Sequence, residues 1–226
     1  MRTSGLAAVL TTIVVGVSFA VPIRPSGAAG SDTPSTLPIS SLGQLAPAPF
    51  PGPKGPEGVP IPQGPSLASL KSAASGRTVD RIQCSGQEQL VFHVHAHLTI
   101  FVNGAPRRIP LGIGIPGQQT QGTSSGLFVD AGNCFYSLHT HAADGIIHIE
   151  SPTRRTYTLG QFFDLWGQSL GVDQVGPATG TVTAFYDGNI YQGNPRNIPL
   201  GAHAQIQLDV GTPLVAPEKI RFLSGL

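Results

Sequence analysis

The chain has 226 residues, a net charge of +1 with histidine neutral, and only 11% charged residues, together with 29 glycines and 21 prolines. The low charged fraction excludes a coiled coil and a charge-rich disordered protein. The near-neutral balance, with scattered arginines, also argues against nucleic acid as a partner, because its binders need clustered cations that replace phosphate counterions.

The first 29 residues have the features of an export signal. Arg2 precedes an apolar run from Leu6 to Val21, and the small residues that follow predict cleavage after Ala20 or Ala28. An uncleaved anchor is the alternative, since the run is close to the shortest length that spans a membrane. In both cases we expect an extracytoplasmic protein, secreted or tethered to the membrane through this segment alone.

Residues 30–76 are rich in proline, glycine and serine, and ten of the prolines lie between Pro34 and Pro65. The segment has no helical or alternating apolar period, so it is predicted to be a disordered linker with polyproline II character. A proline-rich docking peptide is the alternative. Residues 77–226 then form a folded domain of ordinary size.

Two stretches of this domain resemble each other. The sequence TIFVNG at Thr99–Gly104 recurs as TAFYDG at Thr183–Gly188. Each stretch reads as a strand followed by an Asn-Gly or Asp-Gly turn, which predicts two related β-hairpin halves. Chance similarity between glycine-rich hairpins is the alternative.

One helix is predicted between Thr158 and Gly167. Thr158 and Gln161 have the spacing of a capping box, and apolar residues at helical spacing follow in Leu159, Phe162, Phe163 and Trp166. Most other segments alternate with period two. We therefore predict an α+β, β-rich domain, with a β-grasp-like two-layer sheet as the first choice of architecture and a β-sandwich or a cupin-like barrel as the second.

Three histidines alternate along the first strand of the domain. The stretch FHVHAHLTIFV at Phe92–Val102 places His93, His95 and His97 on one face of a strand and apolar residues on the other. Chance is a poor explanation for this spacing.

A second histidine stretch is SLHTHAADGIIHIE at Ser137–Glu150. Asp144-Gly145 predicts a two-residue type I′ turn, which would place His141 opposite His148 and His139 opposite Glu150. Opposed residues have Cβ atoms about 4.5 to 5.5 Å apart, within reach of a common ion.

Imidazole nitrogen suits a transition metal ion, so the cofactor we expect is Cu or Zn, with Fe also compatible. A Ca²⁺ or Mg²⁺ site would need more oxygen ligands. His93 and Glu150 are expected to be ligands or to orient ligands. The alternatives are a histidine-rich surface that titrates, and buried histidines with ordinary hydrogen bonds. The predicted metal-site residues are His93, His95, His97, His139, His141, His148 and Glu150.

Cys84 and Cys134 are the only cysteines, and in an exported protein they predict a disulfide bond. A thiolate ligand is the alternative, because Cys134-x4-His139 has the spacing of a blue-copper loop. Met1 is the only methionine, so the axial ligand usual in such a site is missing.

Two parts of the sequence resemble motifs of the cupin family. The second cupin motif is similar to Gly193, Pro199, Gly201 and His203, and part of the first is similar to His139 and His141. The second motif is one residue short before its histidine, and Asp144 comes too early for the acidic residue of the first. The resemblance covers about 20 residues and implies a metal-dependent oxygenase or hydrolase with an open histidine-ligated site in a β-barrel.

Three functions remain open at this point. The first is an exported transition-metal-binding protein that holds its ion for sequestration, delivery or structure. The second is a metalloenzyme with an open coordination position, in which Glu150 or Asp144 would be the base. The third is a non-catalytic module whose histidine face meets a partner in a pH-sensitive way. The sequence identifies no protein partner.

Overall fold

The computed structural model describes residue 1, residues 34–70 and residues 74–226. The chain divides into two units, Met1–Ser31 and Asp32–Leu226, and the described fold belongs to the second. The predicted export signal lies outside the described residues. In the part of the chain that is described, no helix is long and apolar enough to cross a membrane.

Short strands dominate the described residues. The strands before the helix are β1 (Thr36–Leu37), β2 (Cys84–Ser85), β3 (Phe92–Val102), β4 (Ala105–Arg107), β5 (Gln119–Thr123), β6 (Gly126–Ala131), β7 (Phe135–Tyr136), β8 (Leu138–His139), β9 (Ile146–Ser151) and β10 (Tyr157–Thr158). The helix α1 (Leu159–Trp166) is followed by β11 (Gln174–Val175), β12 (Ala178–Thr179), β13 (Val182–Tyr186), β14 (Asn189–Tyr191), β15 (Pro199–Leu200) and β16 (Gln205–Val210). Two 3₁₀ helices span Ile39–Leu42 and Pro195–Asn197.

The main sheet has the strand order β1-β14-β13-β16-β3-β9-β8, and β4 also pairs with β3. At its centre β3 and β16 are parallel, whereas β9 and β13 pair antiparallel with these two strands. The helix follows β9 and precedes β13 in the chain. The predicted α+β, β-rich class is confirmed, and the arrangement is an open β-grasp-like sheet rather than a barrel.

Both predicted hairpins form, and both belong to this sheet. Asn103 and Gly104 connect β3 to β4, and Asp187 and Gly188 connect β13 to β14. Both residues of each turn have positive φ, at 50° and 75° in the first turn and 49° and 80° in the second. These are the backbone angles of a type I′ turn, which asparagine, aspartate and glycine tolerate best.

The helix packs in the hydrophobic core on one face of the sheet. The Thr158 hydroxyl accepts a hydrogen bond from the backbone N–H of Gln161, whose side chain accepts one from the backbone N–H of Thr158. Gly167 ends the helix in the left-handed conformation. The buried aromatic residues of the helix share one core cluster with the apolar residues of β3 and β9: Phe162, Phe163, Trp166, Ala96, Leu98, Ile100, Ile147 and Ile149.

The proline-rich segment differs from the disordered linker predicted for residues 30–76. Between residues 34 and 70, β1 pairs with β14, Ala46 forms a bridge with Val215, and Ser66 forms one with Arg108. Val59 is fully buried, and Leu67 is also buried. Residues 34–70 therefore belong to the folded unit, and the predicted domain start at residue 77 is corrected.

The physical reason is that contacts with the rest of the domain order this segment. It has no apolar face with a regular period that the sequence could reveal. Extended proline-rich chain buries side chains at irregular intervals, so no apolar period marks it. Gly52 and Gly64 lie so close to other backbone that a Cβ atom would come within 1.8 Å of the Ile61 carbonyl oxygen and 2.1 Å of the Pro106 carbonyl oxygen. Glycine is required where backbones approach in this way.

Replacing Gly64 by alanine is expected to lower the free energy of unfolding by about 1 to 3 kcal/mol, because the new methyl group overlaps the Pro106 carbonyl. Urea denaturation of the full chain measures the change. Gly86→Ala is the matched control, since nothing lies within 4 Å of its added Cβ. Equal midpoints for the two variants would show that residues 34–70 are not packed on the domain.

Candidate metal centre

The pairing of β3 with β9 assembles the first part of the site. In the antiparallel register His95 lies opposite His148, and His93 lies opposite Glu150. Directly opposed residues share a face, so these four side chains lie together on the face away from the helix. The predicted histidine face of β3 is seen in the fold, and the pairing with β9 brings the two histidine stretches together.

The predicted register of the second stretch is wrong. β8 pairs with β9 so that His139 lies opposite His148, not opposite Glu150. Gly145 has a positive φ of 90° but Asp144 does not, so the two residues do not form a type I′ turn. The chain leaves the hairpin after β8 because the backbone of Thr140 bonds with Gly112 and Ile113, and that of His141 bonds with Val129.

His139 and His141 still face each other at the centre of the site. The Nδ1–H of His139 donates to the Tyr136 carbonyl at 2.8 Å, and the Nδ1–H of His141 donates to the Val129 carbonyl. A carbonyl can only accept, so Nδ1 carries the proton in both rings and Nε2 carries a lone pair. The two Nε2 atoms are 3.1 Å apart.

Burial disfavours the charged form of both rings. Burial lowers the pKa of His139 well below its ordinary value and also lowers that of His141, and the charge of His148 acts in the same direction. Two lone pairs at this distance repel unless a cation lies between them. Two nitrogen ligands of a tetrahedral ion at about 2.0 to 2.1 Å would be about 3.3 Å apart, so the observed spacing suits a shared metal ion.

His148 is held by a carboxylate that sequence reasoning missed. Its Nε2 donates to Glu57 Oε1 at 2.6 Å, and its Nδ1 lies 3.3 Å from Glu150 Oε1. Burial alone would lower the pKa of His148, but the hydrogen bonds and charges of Glu150 and Glu57 raise it to about 9. Positive charge is thus stabilised here. The signal in the sequence is weak: Glu57 is the only acidic residue between positions 34 and 70.

His93 and His95 lie beside His148. The Nε2 atom of His95 is 3.1 Å from Nε2 of His93 and 3.1 Å from Nδ1 of His148. Burial lowers the pKa of His95 to about 3, with the charges of His148 and His93 adding to the effect. His93 has 36% of its side chain exposed and is the most accessible of these rings.

Two glutamates complete the site. Glu150 Oε1 lies 3.1 Å from His93 Nε2, whereas its buried Oε2 has no hydrogen-bond partner and lies 3.8 Å from His139 Nε2. Glu88, which sequence reasoning also missed, places Oε1 3.4 Å from His141 Nε2 and 4.0 Å from His139 Nε2. Burial and the charge of Glu150 raise the pKa of Glu88.

The structure therefore brings together six of the seven predicted residues, and Glu88 joins them. We call this set the histidine cluster: His93, His95, His139, His141, His148, Glu88 and Glu150. Two groups within it have ligand atoms close enough to hold a metal ion, one formed by His139, His141, His148 and Glu150 and the other by His93, His95 and His148.

His97 and His203 lie outside the cluster. His97 is buried, which lowers its pKa to about 4, and its Nε2 donates to the Asp144 carbonyl at 2.9 Å. His203 is exposed, stacks on Phe222, and bonds through Nε2 to the Leu226 carbonyl. The cupin resemblance would make His203 a metal ligand, but His203 lies outside the candidate site.

Cys84 and Cys134 form a disulfide bond, as predicted, so Cys134 is not a thiolate ligand. The bond joins β2 to the segment before β7, and these strands pair. It thereby holds the chain that leads to Glu88 close to the chain that leads to His139. A disulfide is typical of an oxidising, extracytoplasmic environment.

No protein-family model matches the chain, and no curated protein or solved structure matches it. The class of protein therefore rests on the fold and the site alone. They define a β-rich domain with a disulfide bond and a buried histidine–glutamate cluster that could hold a metal ion.

The free energy of unfolding of the chelator-treated, metal-free chain is expected to fall as the pH is lowered from about 7 to about 5. Four buried histidines have lowered pKa values in the folded chain, so the unfolded chain binds protons in this window that the folded chain does not. These histidines are His95, His97, His139 and His141. The raised pKa values of His148, Asp144 and Asp209, at about 9, 8 and 6, act in the opposite direction, as do the raised pKa values of Glu88 and Glu218. The expected fall is therefore smaller than the four histidines alone would give.

Urea midpoints at the two pH values measure this dependence. The His141→Gln variant lacks one of the four lowered groups, so its midpoint should change less between the two pH values. A midpoint that is equal or higher at pH 5 in the unsubstituted chain would contradict the electrostatics described for the cluster.

Proposed function

We propose that this protein is an exported transition-metal-binding protein that holds Cu or Zn in the histidine cluster, with Fe as a further compatible ion. One observation carries the proposal. The Nδ1–H groups of His139 and His141 donate to backbone carbonyls, and the Nε2 lone pairs of the two rings repel each other across 3.1 Å. A bound cation removes this repulsion and supplies a partner for the orphaned Glu150 Oε2.

The donor set favours a transition metal. Imidazole nitrogen with one or two carboxylates suits Zn²⁺ and Cu²⁺, and Cu²⁺ binds such sites most tightly among the first-row divalent ions. Ca²⁺ and Mg²⁺ prefer six or more oxygen ligands, which the cluster does not offer. The Glu57 carboxylate on His148 is the kind of outer contact that fixes the orientation of a metal-binding histidine.

The surroundings of the cluster suit a metal-binding protein better than an enzyme that converts a substrate. A cavity of about 670 Å³ lies between the proline-rich segment, β3 and the C-terminal residues, but its lining includes His97 and no residue of the histidine cluster. A histidine face that meets a protein partner would expose its rings, whereas His95, His139, His141 and His148 are buried. Neither the cavity nor the burial of the rings supports the cupin-like enzyme or the pH-sensitive interaction module.

The purified full chain is expected to retain Zn²⁺ or Cu²⁺ after desalting, as measured by elemental analysis. His139→Gln combined with His141→Gln should remove at least nine tenths of the retained metal, because both ring ligands at the centre are lost. His203→Asn is the matched control and should leave the metal content unchanged, since His203 lies outside the cluster. Metal content near zero in the unsubstituted chain, also after incubation with either ion, would refute the proposal.

Replacing Glu57 by glutamine is expected to weaken metal affinity about 10- to 100-fold, the usual effect of losing an outer carboxylate on a ligand histidine. The variant keeps the size of the side chain but removes the charge that Glu57 places 2.6 Å from His148 Nε2. Competition with a chromophoric chelator measures the affinity. Lys54→Gln, a charge change in the same segment, is the control, and equal affinities for the two variants would contradict the role of Glu57.

A further inference from the structure

We propose that the histidine cluster is a two-ion site in which the Glu150 carboxylate bridges the metal ions. The inference rests on the proposed function, because it concerns the number of ions held by the same residues. It assigns each of the seven cluster residues to one half of the site, with Glu150 shared between the halves.

The inner half is formed around His139 and His141. Their Nε2 atoms are 3.1 Å apart, and Glu88 Oε1 lies 3.4 Å from the second of them. Glu150 Oε2 lies 3.8 Å from His139 Nε2 and has no other partner. Both imidazole nitrogens and Glu150 belong to one group of ligand atoms that could hold an ion, and Glu88 Oε1 offers a fourth ligand beside His141, which is the number that Zn²⁺ takes.

The outer half is formed around His95. Its Nε2 is 3.1 Å from both His93 Nε2 and His148 Nδ1. Glu150 Oε1 lies 3.1 Å from His93 Nε2 and 3.3 Å from His148 Nδ1. Three imidazole nitrogens form this second ligand group, and Glu150 Oε1 lies beside two of them.

Glu150 therefore turns a different oxygen to each half. A carboxylate with one oxygen toward each of two ligand groups has the arrangement of a bridging ligand. Protein sites that hold two metal ions commonly place them about 3.5 to 4 Å apart, a spacing that one carboxylate spans.

One ion cannot satisfy both groups of nitrogen atoms. His148 Nδ1 is close to both halves, but a nitrogen lone pair binds one ion, and Nε2 of the same ring is already bonded to Glu57. An ion in the inner half would leave the contacts among His93, His95 and His148 without a cation. An ion in the outer half would leave the facing lone pairs of His139 and His141 without a cation.

The charge of the surroundings also suits two ions. Three glutamates contact the rings, since Glu57 bonds to His148, Glu88 approaches His141, and Glu150 lies between the halves. An ion that takes the Nδ1 lone pair of His148 leaves this ring neutral, and the three carboxylates then carry more negative charge than one divalent ion neutralises. Buried carboxylates are stable only when paired or bound to metal.

Stepwise titration of the chelator-treated full chain with Cu²⁺ alone, followed by electron paramagnetic resonance, tests the proposal. We expect two tightly bound equivalents, and a spectrum at two equivalents that is weakened or broadened by magnetic coupling relative to twice the one-equivalent spectrum. His93→Gln, at the most exposed ring, should weaken one equivalent at least tenfold and abolish the coupling while the other equivalent stays bound. His95→Gln should have the same effect.

The other outcomes separate this proposal from the proposed function. One bound equivalent, lost in His139→Gln and unchanged in His93→Gln, would overturn the two-ion site and leave a single-ion protein. Two equivalents without magnetic coupling, one of them lost in the control His203→Asn, would place the second ion elsewhere and also overturn it. No bound copper and no bound zinc would refute both proposals.

Discussion

The antiparallel pairing of β3 with β9 is the constraint on which the rest of this structure depends. One face of the two strands carries Ala96, Leu98, Ile147 and Ile149 and is covered by the helix. The pleat then forces the alternate residues onto the other face, where His95 meets His148 and His93 meets Glu150. A slip of one residue would bury imidazole against the helix and expose isoleucine, so the apolar core fixes the geometry of the histidines.

Burying so many titratable side chains on one face would be unfavourable without a compensating cation. Burial lowers the pKa of His95 and His139, whereas the pKa of His148, between Glu57 and Glu150, is raised. The metal-free cluster therefore stabilises positive charge at the place where ligand lone pairs converge. A metal ion bound there, as we propose, would compete with protons, and its free energy of binding would also stabilise the fold.

Local features were predictable from the sequence, and features that depend on distant contacts were not. The histidine alternation of β3, the two type I′ turns and the capped helix each depend on residues within one element. The register of β8 against β9 was mispredicted because Thr140 and His141 bond to residues outside the hairpin. Glu57 was missed because its contact with His148 spans 91 residues and its segment has no apolar period.

The proline-rich segment shows how a composition typical of a tether can also form part of a binding site. Proline restricts the unfolded chain, so less conformational entropy is lost when such a segment docks than for an ordinary loop. Glycine at positions 52 and 64 lets its backbone approach other backbone closely, and the docked segment places Glu57 on His148. If His148 binds the proposed ion, Glu57 orients a ligand, so the ion would stabilise the docked segment and the docked segment would strengthen binding of the ion by the same free energy.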